Sequence, residues 1–248
     1  NIYVNRNQIG SIVGSQPFGG EGLSGTGPKA GGPQYVKRFM KTEPVTEVVS
    51  DLIATVGFDK LQKSMDSLDN SDWVARTDKS EQLQALFQNL NISFADLQQE
   101  AETMPGPTGE LNLLSTHARG TILCLGPDLK SAVRQAVLAL SQGNAVVVVA
   151  PGVEAEFQAA IENGLPVIAV SGQLESQALA SVTGFAAVAS SAGQTTLHDY
   201  RIALASRDGV LIPLITERNA VERFTLERHL CVDTTAAGGN ASLIAASE

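Results

Sequence analysis

The residues best suited to approach a ligand lie near the start of the chain, where glycine recurs at short spacing between Gly10 and Gly32. Glycine has no Cβ, so its backbone approaches a ligand closely and adopts positive φ angles at little steric cost. The residue types therefore predict a loop that contacts a ligand or another chain. A flexible tail of the same composition is the alternative.

Cysteine and histidine are the other residue types here with the chemistry of nucleophiles or metal ligands. The two cysteines provide no disulfide framework and fit a reducing cytoplasm. No second histidine, cysteine or carboxylate lies at metal-binding spacing from His117 or His229, so both are expected at the surface or at an interface. His198 lies beside an aspartate on a predicted amphipathic helix, where a solvated pair is expected. No Ser, His and Asp set is identified.

The element that organises the chain is a strand, helix and strand over residues 119–152. Residues 121–125 form a short apolar run, and apolar residues then recur at helical spacing from Leu129 to Leu140, until Gly143 ends the helix. Residues 146–149 are all valine, which predicts a strand buried on both faces.

The same alternation continues further along the chain. Helices are predicted near 154–163, 173–181 and 193–206, and strands at 166–170, 185–189 and 210–215. Five strands interleaved with four helices predict an α/β fold, namely a Rossmann-like, doubly wound parallel sheet of about five strands. Small helices are expected before the sheet, and extended segments at both ends of the chain.

The composition excludes several classes of function. With 17 basic and 26 acidic residues the formal charge is −9, which argues against a surface that grips nucleic acid or an anionic membrane. A hydrophobic content of 43% is ample for a core, and no apolar run approaches the roughly 20 residues of a membrane span. The first residue is Asn1, so the chain is expected to be the C-terminal piece of a longer one.

Residues 16–33, QPFGGEGLSGTGPKAGGP, resemble the C-terminal signature of aldehyde dehydrogenases. They are most similar to the Δ1-pyrroline-5-carboxylate dehydrogenase module of the PutA family, the bifunctional flavoenzymes of proline catabolism. The resemblance implies that Phe18 lies beside the nicotinamide ribose of NAD. It also implies that the amides of Gly31 and Gly32 anchor the carboxylate of glutamate semialdehyde, as paired amides in a turn can, and that Phe39 packs near its aliphatic part.

Residues 105–112, 118–126 and 138–149, PGPTGELN, ARGTILCLG and LALSQGNAVVVV, are similar to the nucleotide domain of an aldehyde dehydrogenase. After the first strand that family has Trp-Asn-Phe-Pro, whereas this chain has Leu125 to Asp128 at those positions, so the catalytic asparagine is absent. It also lacks the family's Lys-Pro, which Val149 to Pro151 replace. Asp128 would repel a pyrophosphate at the helix N-terminus, and no GxGxxG follows a strand. The segment alone is therefore expected to bind no cofactor.

The family's aldehyde oxidation needs a cysteine nucleophile, an asparagine that stabilises the oxyanion and a general-base glutamate. None is expected here, because Cys124 lies in a predicted buried strand and Cys231 lacks the Gly-Gln signature. The isolated chain is predicted to be inactive. The parent would be an oxidoreductase that uses FAD and NAD, a homo-oligomer in the cytoplasm or peripheral at the inner membrane.

The end of the chain has its own pattern. Phe224, Leu226, Leu230 and Val232 predict an extended, partly buried ribbon. Residues 233–243, DTTAAGGNASL, resemble the terminal motif of PutA proteins. This implies that residues from about 40 to 216 are an insertion and that the tail packs on a dehydrogenase module, of its own chain or of a partner protomer. The tail residues concerned are Thr234, Thr235, Ala236, Ala237, Gly238, Gly239 and Asn240.

Four regions are therefore expected. Residues 1–40 would end the dehydrogenase module, 41–103 would be a helical linker, 104–216 the Rossmann-like domain and 217–248 the tail. In the linker, helices are predicted from Pro44, around residues 83–90 and from Ser93, with Trp73 as a packing anchor. By resemblance the Rossmann-like domain is a non-catalytic lid over a cavity through which the intermediate passes. A regulatory NAD-binding domain and a pure oligomerisation module remain the alternatives.

Overall fold

The structure is a computed structural model that describes residues 1–7, 10–40, 55–68, 71–90, 92, 97 and 100–235. The helices predicted from Pro44 and from Ser93 lie outside these residues. The chain divides into two compact units. Unit 1 contains residues 1–40, 98–117 and 226–248, and unit 2 contains residues 41–97 and 118–225.

The described strands and helices alternate along most of the chain. The strands are β1 (Ile2–Val4), β2 (Glu102–Met104), β3 (Glu110–Ala118), β4 (Thr121–Cys124), β5 (Ala145–Val149), β6 (Val167–Val170), β7 (Ala187–Ala189), β8 (Leu214–Ile215) and β9 (Thr225–Asp233). The α-helices are α1 (Phe58–Asp66), α2 (Ser71–Ala75), α3 (Lys79–Leu86), α4 (Leu129–Ser141), α5 (Val153–Glu162) and α6 (Gln194–Ala205). Short 3₁₀ turns cover Val36–Phe39, Ser176–Ala180 and Val221–Phe224.

Unit 2 contains the predicted parallel sheet. Its five strands lie in the order β6-β5-β4-β7-β8, and each pairs with its neighbours in parallel. Every residue of β5 is buried, as the valine run predicts for a central strand covered on both faces. The strand order reverses next to β4, which is the hallmark of a doubly wound sheet. The predicted α/β fold class is confirmed.

Two predicted elements of unit 2 are shorter than expected. Instead of a helix over 173–181 there is a 3₁₀ turn at Ser176–Ala180. The guanidinium of Arg207 donates to the carbonyl oxygens of Leu179 and Val182, so these carbonyls are bonded outside any helix. The strand predicted over 210–215 is reduced to Leu214–Ile215, because Pro213 has no N–H to extend the ladder.

The small helices pack on both faces of this sheet, since α1 contributes to one hydrophobic core and α2 and α3 contribute to the other. Trp73 on α2 is buried, and its indole N–H donates to the carbonyl oxygen of Leu140 at 2.8 Å. This confirms the packing role expected for Trp73. The buried side chain of Lys79 donates to the carbonyl oxygens of Val74 and Arg76, so its charge stays hydrogen-bonded at the end of α2.

Unit 1 holds a second sheet that the sequence patterns did not predict, in the order β1-β9-β3-β2. The long strand β3 follows a turn over 105–109, where only a turn-rich bridge was expected. Its neighbour β9 is extended and its apolar residues are partly buried, as predicted. The buried side chains of β9 within unit 1 are polar, namely Glu227, His229 and Cys231, whereas Leu226, Leu230 and Val232 are only half-buried.

Candidate functional site

The glycine-rich segment of unit 1 forms two turns that lie side by side. Phe18 and Ala30 make a backbone bridge, with N···O distances of 3.0 and 2.7 Å between their amides and carbonyls. The Phe18 ring is about half exposed. Gly31 adopts a φ of 73°, a left-handed conformation that favours glycine. The bridge therefore places the residue expected near the cofactor next to the turn expected to hold the substrate.

The other two expected substrate contacts are placed differently. The N–H of Gly32 donates to the carbonyl oxygen of Lys29 at 3.2 Å, so this amide closes the turn. An anion could share the amide only by a bifurcated bond. Phe39 ends the 3₁₀ turn Val36–Phe39 and is 74% exposed, with its ring centroid 5.3 Å from that of Tyr35.

Lys29 connects the two turns. It is 4% exposed, and its Nζ donates to Asn1 Oδ1 at 2.9 Å and to the carbonyl oxygen of Gly19. Its backbone N–H donates to Glu227 Oε2 at 2.6 Å. Burial lowers the pKa of Lys29, and the negative charge of Glu227 opposes that shift. Lys29 is therefore a buried cation whose hydrogen bonds stabilise the glycine-rich segment.

The polar face of β9 supplies further contacts. His229 is 1% exposed, its Nδ1 lies 3.3 Å from Asn1 Nδ2, and its ring meets that of Tyr3 edge-on at 6.2 Å. A surface position for His229 is therefore wrong. Burial lowers the pKa of His229, and nearby positive charges, including Lys29, act in the same direction.

A second polar cluster lies around Cys231. Glu110 forms an ion pair with Arg6 and accepts from Gln16 Nε2 at 2.7 Å. The thiol of Cys231 lies 3.6 Å from Arg6 Nη1 and 3.5 Å from Gln16 Nε2. Burial raises the pKa of Cys231, which keeps it in the thiol form. Gln16 in turn accepts from the N–H of Ile12, so the cluster orders the turn next to Gly31.

Cys124, His198 and His117 lie in different environments. Cys124 is fully buried in β4, as predicted, and burial raises its pKa, which keeps it in the thiol form. His198 and its neighbour Asp199 are exposed. His117 is half-buried, with Nε2 2.9 Å from Ser115 Oγ. Within the described ranges no group of His, Cys, Asp and Glu could hold a metal ion, and no helix is long and apolar enough to cross a bilayer.

Unit 2 has a cleft where a doubly wound fold usually binds its ligand, at the carboxyl ends of the parallel strands. Its volume is about 180 Å³, below the roughly 300–1,000 Å³ usual for small-molecule sites. None of the described residues that line it is charged. The lining includes Leu125, Pro127, Val149, Gln173, Thr196 and Tyr200.

In the loop beside this cleft, side chains of the loop and of α4 accept from two backbone amides. Asp128 caps α4, and its carboxylate accepts from Ser131 N at 2.9 Å and Ser131 Oγ at 2.8 Å. The N–H of Gly126 donates to Gln135 Oε1 at 3.1 Å, and Gln135 Nε2 donates back to the Gly126 carbonyl at 2.9 Å. A carboxylate therefore occupies the helix N-terminus that would otherwise attract an anion.

The first residues of the tail motif continue β9. The N–H of Thr234 donates to the carbonyl oxygen of Gly109 at 2.7 Å. Thr235 donates to the carboxylate of Asp233 through its N–H at 2.9 Å and through its hydroxyl. Ala236, Ala237, Gly238, Gly239 and Asn240 lie outside the described residues.

Sequence reasoning missed Lys29, Glu227 and Asn144. Lys29 is a cation in the middle of a glycine motif, and Glu227 belongs to a period of two in which Thr, Glu, His and Cys alternate with Leu226, Arg228 and Leu230. Both patterns are visible in the sequence and could have indicated these residues. Asn144 Oδ1 accepts from the N–H groups of Arg119 and Gly120, at 2.8 and 3.2 Å, and its Nδ2 donates to two carbonyls. No local signal indicates that role.

Comparison with known proteins agrees with the predicted resemblance. The chain is 35% identical over 252 residues to the bifunctional protein PutA of Salmonella typhimurium, a match that covers 98% of this chain and 19% of that protein. It is 53% identical over 47 residues to the 1-pyrroline-5-carboxylate dehydrogenase of Oceanobacillus iheyensis, covering 19% of this chain and 9% of that enzyme. No protein-family model matches the chain.

A solved structure supports the fold. A crystal structure of a bifunctional proline utilization A protein superposes with a TM-score of 0.51 and 20% identity, over 66% of this chain and 22% of that one. The present chain spans about a fifth of the length of the PutA protein that it matches. Identity at this level along almost the whole chain shows common descent, and the chain is therefore homologous to the bifunctional PutA proteins.

Proposed function

We propose that this chain is the C-terminal part of a bifunctional enzyme that oxidises proline to glutamate. The parent would use FAD to oxidise proline and NAD to oxidise glutamate semialdehyde. The homology to PutA over 98% of the chain supports this proposal, as does the similarity to 1-pyrroline-5-carboxylate dehydrogenase. The parent is then an oxidoreductase of the aldehyde dehydrogenase superfamily.

Residues 1–40 would complete the aldehyde site of the parent. NAD, when bound, accepts the hydride, and the half-exposed ring of Phe18 would flank its nicotinamide ribose. The turn of Gly31 and Gly32 would hold the substrate carboxylate through backbone amides. The exposed ring of Phe39 would cover the aliphatic part of the substrate. These residues bind and orient, while the reactive thiol and its helpers lie elsewhere in the parent.

Unit 2 would be a non-catalytic lid that binds no NAD. The single observation that carries this part is the loop after β4, where Asp128 and Gln135 already satisfy the donors that a pyrophosphate would need. The small, uncharged cleft beside it supports the same reading. Such a lid would act by steric closure and exclusion of water, which keeps the intermediate from escaping.

Unit 1 would pack against the dehydrogenase module. Both hydrophobic cores formed by the described residues lie in unit 2. By contrast, many large apolar side chains of the first 40 residues are exposed, which marks a surface that another body covers. They are Ile2, Val4, Ile12, Val13, Phe18, Leu23, Tyr35, Val36, Phe39 and Met40. The module would belong to the same chain or to a partner protomer.

The test uses the full-length protein truncated before Val232, with proline oxidation followed by an artificial electron acceptor as the internal control. We expect proline oxidation to be unchanged and the lag before NADH production to lengthen, because the intermediate escapes. An unchanged lag would contradict the lid. A changed mass in solution with unchanged coupled kinetics would instead support an oligomerisation module.

A regulatory NAD-binding domain is the second candidate, and the fold class alone favours it. Titration calorimetry of NAD against this chain separates the two proposals. We expect no saturable heat, and none in D128A, which removes the carboxylate from the N-terminus of α4. Saturation at one NAD per chain, strengthened by D128A, would favour the regulatory domain because the substitution relieves repulsion of the pyrophosphate.

A further inference from the structure

Lys29 is held by contacts on three sides. Its backbone N–H donates to Glu227 Oε2 at 2.6 Å. Its Nζ donates to Asn1 Oδ1 and to the carbonyl oxygen of Gly19, the residue that follows Phe18. Its carbonyl oxygen accepts from the N–H of Gly32 at 3.2 Å. One residue therefore contacts both turns of the glycine-rich segment.

The position of Lys29 in the chain makes these contacts relevant to the substrate turn. Ala30, the next residue, is bridged to Phe18 in both directions, and Gly31 follows at its left-handed φ. A displacement of the Lys29 backbone would therefore move the turn of Gly31 and Gly32 relative to Phe18. The side chain that opposes such a displacement at the Lys29 backbone is that of Glu227.

Glu227 is suited to that task. It is 6% exposed on β9, 198 residues further along the chain, and a buried carboxylate persists only where it is hydrogen-bonded and its charge is compensated. A bond from a backbone N–H to a carboxylate is charge-assisted and shorter than a neutral one. The β9 strand lies between β1, which pairs with Leu230 to Val232, and β3, so the strand that carries the carboxylate is held in the sheet.

We propose that Glu227 is a positioning residue for the substrate-carboxylate turn. Through the backbone of Lys29 it sets the place of Gly31 and Gly32 relative to Phe18. It thereby sets the preference for an aldehyde that carries a carboxylate over an uncharged aldehyde of the same length. This inference rests on the proposed function, because it assigns the turn to substrate binding.

The experiment compares steady-state oxidation of glutamate semialdehyde and of pentanal by the full-length enzyme. For E227A we expect KM for glutamate semialdehyde to rise about tenfold or more, since a misplaced binding group costs this much, while kcat/KM for pentanal changes less than about twofold. E227Q should restore most of the preference, because its amide oxygen still accepts from Lys29. E102A, which changes an exposed glutamate of the same unit, is the matched control.

The outcomes separate the two proposals. An active wild-type enzyme whose preference survives in E227A overturns the positioning role, and so does an equal loss for both aldehydes, which would mean a general folding defect. If E227A is insoluble, E227D retains the charge but withdraws it by one methylene, and the same rise in KM is expected. A wild-type enzyme that does not oxidise glutamate semialdehyde would overturn the proposed function itself.

Discussion

The carboxylate of Asp128 accepts hydrogen bonds from both the backbone N–H and the hydroxyl of Ser131, at 2.9 and 2.8 Å. The pair closes the N-terminus of α4 at the edge where a parallel sheet commonly binds phosphate. A negative side chain thus already accepts from one amide of the helix end. The pair links the stability of unit 2 to the proposed absence of a cofactor there.

Loss of this cap should weaken unit 2. We expect D128A to lower the free energy of unfolding by about 1 kcal/mol, the usual value of an N-cap side chain, and D128N to retain most of it because asparagine also caps. Denaturant titration of the chain measures both. D199A, at an exposed aspartate, should change stability by less than about 0.5 kcal/mol. Equal effects of D128A and D199A would show that the cap contributes nothing.

The side chain of Asn144 should contribute more to the free energy of unfolding than the Asp128 cap does, because its carboxamide makes four hydrogen bonds and is fully buried. In N144A the carbonyl oxygens of Ala139 and Phe224 lose their side-chain donor. Since an unsatisfied buried group costs about 1–3 kcal/mol, we expect a loss of about 3 kcal/mol or more in the free energy of unfolding.

The matched control for Asn144 is N163A. Asn163 is exposed and its side chain donates only to the carbonyl oxygen of Ala159. Its replacement should cost about 0.5 kcal/mol or less. Aspartate at position 144 should be nearly as harmful as alanine, because it lacks the two amide donors. A loss in N144A as small as that in N163A would contradict the role given to the network.

The parallel sheet was predictable because its signals are local. A run of valines that must be buried on both faces and helical spacing between glycine stops identify a crossover wherever it occurs. The signals failed where distant residues decide the structure. The helix predicted over 173–181 is only a 3₁₀ turn at Ser176–Ala180, and the side chain of Arg207 bonds carbonyl oxygens at its end and beyond it, a contact of which the sequence around the turn carries no trace.

The face of β9 shows the same limit at the site itself. A period of two shows that Glu227, His229 and Cys231 share a face, but it does not tell which face is buried. The usual assumption puts apolar residues inside. Here the partners of the polar face come from the first 30 residues of the chain, Lys29 and Asn1 among them. Only the tertiary structure brings these partners together, so the sequence predicts a partly buried ribbon without telling which of its faces is the more buried one.

The conformation of Gly31 offers a test of the substrate turn. At a φ of 73° a Cβ would be strained, although it would meet the neighbouring Val13 and Gly14 only at ordinary contact distances. We expect G31A to cost about 1 kcal/mol in stability and to raise KM for glutamate semialdehyde in the full-length enzyme. Gly209 in unit 2 also has a positive φ, and no atom lies near the position of an added Cβ. G209A should therefore lower stability by a similar amount and leave KM unchanged. Equal KM values in the two variants would contradict the substrate role of the turn.

His229 should make stability depend on pH. Its pKa is lowered in the folded chain, first by burial, whereas in the unfolded chain it returns to about 6.5. Below that pH the unfolded chain takes up a proton that the folded chain does not, so stability is full above about 6.5 and falls as pH drops toward the folded pKa. The slope for one proton is at most about 1.4 kcal/mol per pH unit.

The measurement is thermal unfolding of the chain between pH 7.5 and 5 in wild type, H229Q and H198Q. In H229Q the unfolding temperature should fall less between pH 7.5 and 5 than it does in wild type, because glutamine does not titrate. H198Q, at an exposed histidine, should decline as wild type does. If H229Q and wild type decline in parallel, acid destabilisation arises elsewhere and His229 is protonated in the folded chain. In that case the polar face of β9 is more open to water than its 1% exposure at His229 indicates.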